Sequence, residues 1–302
     1  MTTNRRLIVI VGATGSGKTD LSIRIAQHYA APILSTDSRQ VFRGMPIGTA
    51  QPSAAQLQAV DHYFIASHEL TDDFNCGAYE EQALTRLEQL FETHPFVVAV
   101  GGSGLYVQAL CKGMDTLPAV DAQLRAALGN RLKTEGLASL VAQLKDLDPA
   151  FYAVVDRNNP ARVLRALEVC LQTGVPYSAQ RTGAPRTRDF DTVKIGIDVP
   201  REELYDRINR RVDEMLARGL EDEVRRLYPY KHLNALQTVG YKELFAWMDG
   251  EITYEEAVEL IKRNSRRYAK RQMTWFRRDT QIRWFAPNEV EAMISYIDFC
   301  KL

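Results

Sequence analysis

The chain has 302 residues, 45% of them hydrophobic and 25% charged, with 38 basic residues balanced by 38 acidic ones. That length suits one core carrying a substantial insertion, and the composition is that of a soluble globular protein, excluding a disordered, fibrous or uniformly basic chain. Cys76, Cys111, Cys170 and Cys300 stand far apart with no C-x-x-C pair, so neither a disulfide framework nor a zinc site is expected.

Residues 7–11 (LIVIV) form a β-branched run that leads into glycines. The run is too short for a signal-peptide core, and the protein is expected in the cytoplasm, away from membranes. It reads as a strand, followed by a helix over residues 18–29 with Leu21, Ile25 and Ala26 at helical spacing. Residues 33–35 read as a second strand. A helix over residues 79–91 and a third strand over residues 96–100 follow, ending at Gly101-Gly102. From Lys112 the pattern changes to helical segments separated by Asp, Pro and Gly, with no strand before residues 193–197. The stretch QRTGAPRTRDFD (residues 180–191) reads as a return linker. Helices over residues 201–228 and 254–278 come next, and residues 282–285 close the sheet. Strands alternating with helices imply a parallel sheet. The expected fold is therefore α/β, a P-loop NTPase-like parallel sheet flanked by helices, with an inserted helical subdomain. Residues 1–111 and 191–302 would form the core and residues 112–190 the insertion.

Gly12-Ala13-Thr14-Gly15-Ser16-Gly17-Lys18-Thr19 matches the G-x-x-x-x-G-K-[ST] pattern of ATP-binding loops between a predicted strand and a predicted helix, the context that gives the pattern meaning. Glycines let backbone N–H groups wrap an anion, the helix N-terminus adds its dipole, and Lys18 adds a mobile positive charge. Thr19 can place its hydroxyl on Mg²⁺. Such a loop recognises a polyphosphate and not the group attached to it, so ATP, GTP and a prenyl diphosphate all qualify.

Asp37 follows the second strand and emerges at the same sheet edge as the phosphate loop. A carboxylate beside a diphosphate is repelled unless Mg²⁺ or a proton-bearing substrate compensates, which makes Asp37 a metal ligand or a base. The strand ending in Gly101-Gly102-Ser103-Gly104-Leu105-Tyr106 lacks the acid that a nucleotide-hydrolysing site carries there. Small residues let a substrate approach the backbone and Ser103 offers a hydroxyl, although a plain tight turn has the same composition. Near the C-terminus, KRNSRRYAKRQMTWFRR (residues 262–278) holds eight basic residues and no acid. Arg263, Arg266, Arg267, Lys270 and Arg271 recur at spacings of three and four, with Tyr268, Trp275 and Phe276 between them. Cations that track phosphates beside aromatics that stack bases are the pattern of single-stranded RNA binding; a solvated helix with core aromatics shares it.

GATGSGKT, DSRQVFRGMPIGTAQP (residues 37–52), GGSGLY, NPARVLRALEV (residues 159–169), TVGYKE (residues 238–243) and YAKRQMTWFRR (residues 268–278) occur in this order over nearly the whole chain. By these segments the sequence resembles the tRNA dimethylallyltransferases. The resemblance implies that the loop holds the diphosphate of dimethylallyl diphosphate and that Asp37 takes a proton or a hydrogen bond from adenine N6. Ser103, where the family usually has Thr, would contact the target base. Phe42 stands where Tyr is commoner, which puts any role of that phenol in doubt, and Ala13 and Gly15 replace the usual Pro and Ala. Contacts with tRNA are implied for Asp37, Ser38, Arg39, Gln40, Ser103 and Arg125. They are also implied for Ala161, Arg162, Val163, Leu164 and Arg165, and for Gln237, Thr238, Val239, Gly240, Tyr241 and Lys242. The basic helix would add Lys270, Arg271, Gln272, Trp275 and Arg277. A plain arginine on an amphipathic helix is the lesser alternative for Arg165, and Arg162 shares it.

The activity implied is transfer of a dimethylallyl group to N6 of the adenosine 3′-adjacent to the anticodon, in the anticodon stem-loop of tRNA. A monomer would act, with Mg²⁺ as cofactor and Lys18, Thr19, Asp37 and Ser103 as catalytic residues. RNA would enter one channel from the insertion side and the donor from the opposite side. An adenylate isopentenyltransferase acting on free AMP, ADP or ATP shares the loop and the Asp but has no use for the insertion or the basic helix. A P-loop kinase predicts turnover of a nucleoside triphosphate, and a non-catalytic RNA-binding protein predicts that Asp37 is dispensable.

Overall fold

The first apolar run forms β1 (Arg6–Gly12), every residue of it buried, as befits the interior strand of a sheet covered on both faces. The computed structural model describes residues 5–119 and 121–300. After β1 come α1 (Lys18–His28), β2 (Ile33–Ser35), α2 (Ala54–Ala59), β3 (His62–Tyr63), α3 (Cys76–Phe91), β4 (Phe96–Gly101) and α4 (Gly104–Lys112). A helical stretch of α5 (Ala122–Glu135), α6 (Leu137–Leu147), α7 (Pro149–Val154), α8 (Pro160–Thr173) and α9 (Tyr177–Gln180) follows. The chain then returns through β5 (Asp191–Ile197), α10 (Arg201–Ala217), α11 (Leu220–Leu227), α12 (Tyr241–Met248), α13 (Tyr254–Phe276), β6 (Arg283–Phe285) and α14 (Val290–Phe299). Two compact units result, Met1–Lys112 with Thr187–Leu302, and Gly113–Arg186.

In the larger unit the strands pair in the order β3-β2-β4-β1-β5-β6, all parallel. Successive strand side chains point to opposite faces. Leu7, Val9 and Val11 of β1 therefore join one core with Tyr79, Leu87, Leu110 and Leu244, while Ile8 and Ile10 join the other with Ile25, Ile208 and Met293. Helix α13 contributes Ile261 and Phe276 to the first core and Ala269 to the second. A reciprocal cap starts it, Thr253 Oγ1 accepting from Glu256 N at 3.1 Å and Glu256 Oε2 from Thr253 N at 2.9 Å.

The structure departs from the sequence reading in places. The expected helix over residues 201–228 is two helices, because Gly219 at φ 93° supplies the left-handed turn that ends one and begins the next. Strand β3 and helices α2, α4, α12 and α14 have no counterpart in that reading; β3 has two residues, too few for a period to show.

The smaller unit closes its own core around Leu128, Leu140, Leu144, Phe151, Val163 and Leu167. Asp148 ties it together, accepting from Phe151 N at 2.9 Å, Ser178 N at 2.7 Å and Ser178 Oγ at 2.7 Å. These bonds hold its carboxyl below the usual range against the opposing effect of burial.

Candidate active site

Because the strands run parallel, the loops after β1, β2 and β4 emerge at one edge of the sheet, where open α/β sheets bind ligands. They border a cavity of about 750 Å³. From the first loop come Thr14, Lys18 and Thr19, from the second Asp37, Ser38, Arg39 and Gln40, and from the third Gly101 and Gly102.

Helix α1 starts at Lys18 with no side-chain cap, leaving first-turn amides for an anion. Lys18 Nζ donates to Ala13 O at 2.6 Å. Burial, with the neighbouring Arg211 charge, pulls its pKa down to about 7, against the opposing pull of Asp37. An unfolded chain holds its lysine proton to the ordinary value of 10.5. Between about pH 7 and that value the unfolded state binds more protons, so the penalty for burying Lys18 shrinks as pH rises. A diphosphate in the loop reverses the shift. Titration calorimetry in buffers of different ionisation enthalpy is therefore expected to show uptake of about one more proton on binding of a diphosphate monoester at pH 8 than at pH 6. Affinity for that ester is expected to weaken as pH rises above about 7, and Lys18→Met to abolish the extra uptake. Equal uptake at both pH values would contradict the assignment.

The Asp37 loop is braced from within. Asp37 Oδ1 accepts from Arg39 N at 2.9 Å and Gln40 N at 3.3 Å, which leaves Oδ2 with no protein donor among the described residues. Ser103 Oγ accepts from Ser38 N at 3.0 Å and donates to Ser38 Oγ at 3.1 Å, joining the ends of β2 and β4. Gln40 Nε2 donates to Ala50 O at 2.8 Å and Arg39 Nη1 to Asn234 O at 2.8 Å. Tyr268, at the cavity wall, has its phenol pushed up to about 12 by burial and by the nearby Asp37 charge.

Two groups were not singled out from the sequence. Arg211 on α10 lines the cavity with no hydrogen bond or salt bridge to any described residue, and burial lowers its pKa while Asp37 opposes the shift. It interrupts a stripe of Ile208, Val212 and Met215 at spacings of three and four, and an arginine in that position was the signal to look for. That stripe, with Leu220, Val239, Ala246, Ile252 and Leu260, makes an apolar lobe of the cavity. The second group is Glu223, fully buried, which accepts from Ile47 N and Gly48 N at 2.8 Å each and from the Tyr241 hydroxyl at 2.6 Å. One wall of the cavity, formed by Gly48, Thr49 and Ala50, is fastened by these bonds.

A cavity with a cationic, loop-lined end, a carboxylate with one free oxygen and an apolar lobe suits an apolar diphosphate ester and a nucleophile that must lose a proton. A family model described as IPP transferase matches residues 40–279. The chain belongs to this family. It is 49% identical over 291 residues to tRNA dimethylallyltransferase 2 of Parabacteroides distasonis, covering 96% of this chain and 97% of the relative. To tRNA dimethylallyltransferase 1 of Bacteroides thetaiotaomicron it is 50% identical over 291 residues, with 96% and 94% covered. The structure is similar to that of the full-length tRNA isopentenylpyrophosphate transferase of Bacillus halodurans, with a TM-score of 0.73, 35% identity and coverage of 98% of this chain and 97% of that one. A eukaryotic dimethylallyltransferase described as acting on tRNA gives a TM-score of 0.80 at 25% identity, covering 98% and 79%.

Within this IPP transferase the residues expected to contact tRNA differ in what their side chains have free. Gln237, Thr238, Val239, Gly240, Lys242, Arg267 and Arg271 line the cavity. Tyr241 does not present itself to RNA: it is 0% exposed and its hydroxyl is committed to Glu223. Val163 is likewise 0% exposed, inside the core of the smaller unit, where the helical period carries it inward while Ala161 and Arg162 stay exposed. Arg125 and Arg165 both pair with Glu168, at 2.7 and 3.4 Å, and Leu164 packs against the same core. Gln272 is a strut, its Oε1 accepting from Thr14 N at 2.8 Å and its Nε2 donating to Gly102 O at 2.9 Å. Of the basic run, Lys262 pairs with Asp213 at 2.8 Å and Arg266 donates to Asn209 at 2.6 Å, so these two fasten α13 to α10. Trp275 is half-buried against the first core. Phe42 is 4% exposed and lies outside the cavity lining, so its missing phenol takes nothing from the site.

Proposed function

We propose that this chain transfers the dimethylallyl group of dimethylallyl diphosphate to N6 of the adenosine 3′-adjacent to the anticodon in tRNA, acting as a monomer. The observation that carries the reading is the single cavity shared by the phosphate loop, Arg211, the free Oδ2 of Asp37 and the apolar lobe. The names of the relatives, tRNA dimethylallyltransferases and a dimethylallyltransferase acting on tRNA, point the same way. Transfer breaks the C1–O bond of the donor and forms a C1–N6 bond. The electron pair of the broken bond leaves on the diphosphate, and Lys18, Arg211 and the amides at the start of α1 stabilise the charge that develops there. Adenine N6 is a weak nucleophile because its lone pair is delocalised into the ring. Asp37 Oδ2 removes the N6 proton as the new bond forms. The apolar lobe receives the prenyl chain and keeps water from the electrophilic carbon. For the base to reach that carbon it leaves its stack, at modest cost in a single-stranded loop.

A divalent cation fits the donors present. The described residues contain no cluster of three or more His, Cys, Asp or Glu, but Mg²⁺ keeps several waters and takes substrate phosphate oxygens, so the Thr19 hydroxyl at the cavity is a sufficient protein share. When bound, Mg²⁺ would neutralise charge on the departing diphosphate.

The test is transfer of radiolabelled dimethylallyl from its diphosphate to unmodified tRNA in the presence of Mg²⁺, with AMP as a competing acceptor. Label in tRNA is expected, from a protein that light scattering reports as a single chain. Label in AMP alone would mark a free-nucleotide enzyme, and ATP turnover without label in either acceptor would return the chain to the kinases.

A further inference from the structure

Helix α13 walls two depressions. Leu260, Asn264, Tyr268 and Arg271 face the catalytic cavity, whereas Lys270, Met273, Thr274 and Arg277, a stripe at spacings of three and four, face a second groove of about 710 Å³. That groove lies at the same C-terminal edge of the parallel sheet, where ligands bind. Val199 and Pro200 follow β5 there, and Trp284 and Phe285 end β6 with Ala286 just beyond it.

Its chemistry is specific. Leu204, Met273 and Phe285 supply apolar lining, and Tyr205 and Trp284 supply rings. Both acids at its border are engaged: Asp198 accepts from Arg277 at 3.1 Å and Glu289 from Ala286 N at 2.6 Å. Arg277 lies 5.7 Å over the Trp284 ring and Arg201 5.2 Å over the Tyr205 ring. Arg201 and Lys270 are exposed and form no salt bridge with any described residue. Rings each covered by a guanidinium, with the charges of Arg201 and Lys270 unmatched by any acid among the described residues, suit the flat face of a base and its phosphate.

We propose that this groove holds a second unpaired nucleotide of the same RNA, close in sequence to the adenosine whose base enters the catalytic cavity. Its base takes the place of the guanidinium groups over the Tyr205 and Trp284 rings and stacks there, and Arg201, swung off Tyr205, takes the flanking phosphates with Lys270. One helix, about 10–12 Å across with its side chains, separates the two depressions, so nucleotides splayed to either side of α13 fill both. This inference rests on the reading of RNA as the acceptor.

The test uses the full chain and an anticodon stem-loop RNA carrying 2-aminopurine in turn at positions flanking the target adenosine. At one position binding is expected to change the fluorescence, and Trp284→Leu to remove that change and weaken RNA binding about tenfold. Because Trp284 packs against the Gly196 backbone, Tyr205→Leu and the double variant Arg201→Gln, Lys270→Gln serve alongside it. The double variant is expected to reduce the slope of log affinity against log salt by about 1.4. Fluorescence, affinity and slope unchanged in all three variants would overturn the groove. So would an equal loss of affinity for a duplex RNA without a loop, which would mark a general phosphate-binding surface. Transfer of dimethylallyl by the unaltered protein to the same RNA is scored separately. Transfer with an indifferent groove overturns this inference alone, whereas absence of transfer overturns the proposed function.

Discussion

Replacing Asp37 by Asn is expected to slow transfer to tRNA by about 10²–10⁴-fold, the usual worth of a positioned base, without weakening donor binding. Asn keeps an oxygen to accept from Arg39 N and Gln40 N, so the loop retains its shape. What it loses is the other oxygen, replaced by an NH₂ that only donates and takes no proton from adenine N6. Donor affinity should hold or improve, because the lost charge lies close enough to raise the pKa values of Lys18 and Arg211 and would repel a diphosphate. Single-turnover transfer measured beside donor binding separates the two effects. A variant that keeps more than a tenth of the rate would show that Asp37 is not the base.

Replacing Glu223 by Ala is expected to cost about 2–4 kcal/mol of stability, because one buried and two half-buried donors lose their acceptor together and a buried orphan costs about 1–3 kcal/mol, a half-buried one less. Those donors are Ile47 N, Gly48 N and the Tyr241 hydroxyl. The unfolding midpoint should drop by roughly 5 °C for a chain of this size. Tyr241→Phe removes a single bond and should cost about 1 kcal/mol. The close packing of this corner sharpens the comparison, since a Cβ at Gly48 would stand 2.5 Å from the Tyr241 ring. Equal melting temperatures for the two variants would mean that the backbone amides do not depend on Glu223. Activity should fall further than stability explains, because Gly48, Thr49 and Ala50 are cavity wall.

Much of the site was legible in the sequence. The phosphate loop could be read because its glycines, lysine and hydroxyl lie within eight consecutive residues between a strand and a helix. Asp37 could be read because, in a parallel sheet, the residue after a strand goes to the ligand edge, whereas Ser103, expected beside it, lies outside the cavity lining with its hydroxyl engaged by Ser38. The basic run after Lys262 was plain as composition, yet Lys262 and Arg266 fasten α10 while Arg267 and Arg271 face the cavity. Spacing places residues on the faces of a helix but does not say what each face meets.

The sequence by itself determined the parallel α/β architecture, the glycine-rich loop after β1 and the carboxylate after β2, since period, glycine placement and strand ends are local properties of the chain. Only the tertiary structure decided which polar atoms remain free to meet substrate. Gln272 is spent on Thr14, 258 positions away, Tyr241 on Glu223 and Arg39 on the turn at Asn234, whereas Arg211 and one oxygen of Asp37 are left open. The physical reason is that a buried donor or acceptor must find a partner, and packing chooses that partner from segments that no sequence window contains.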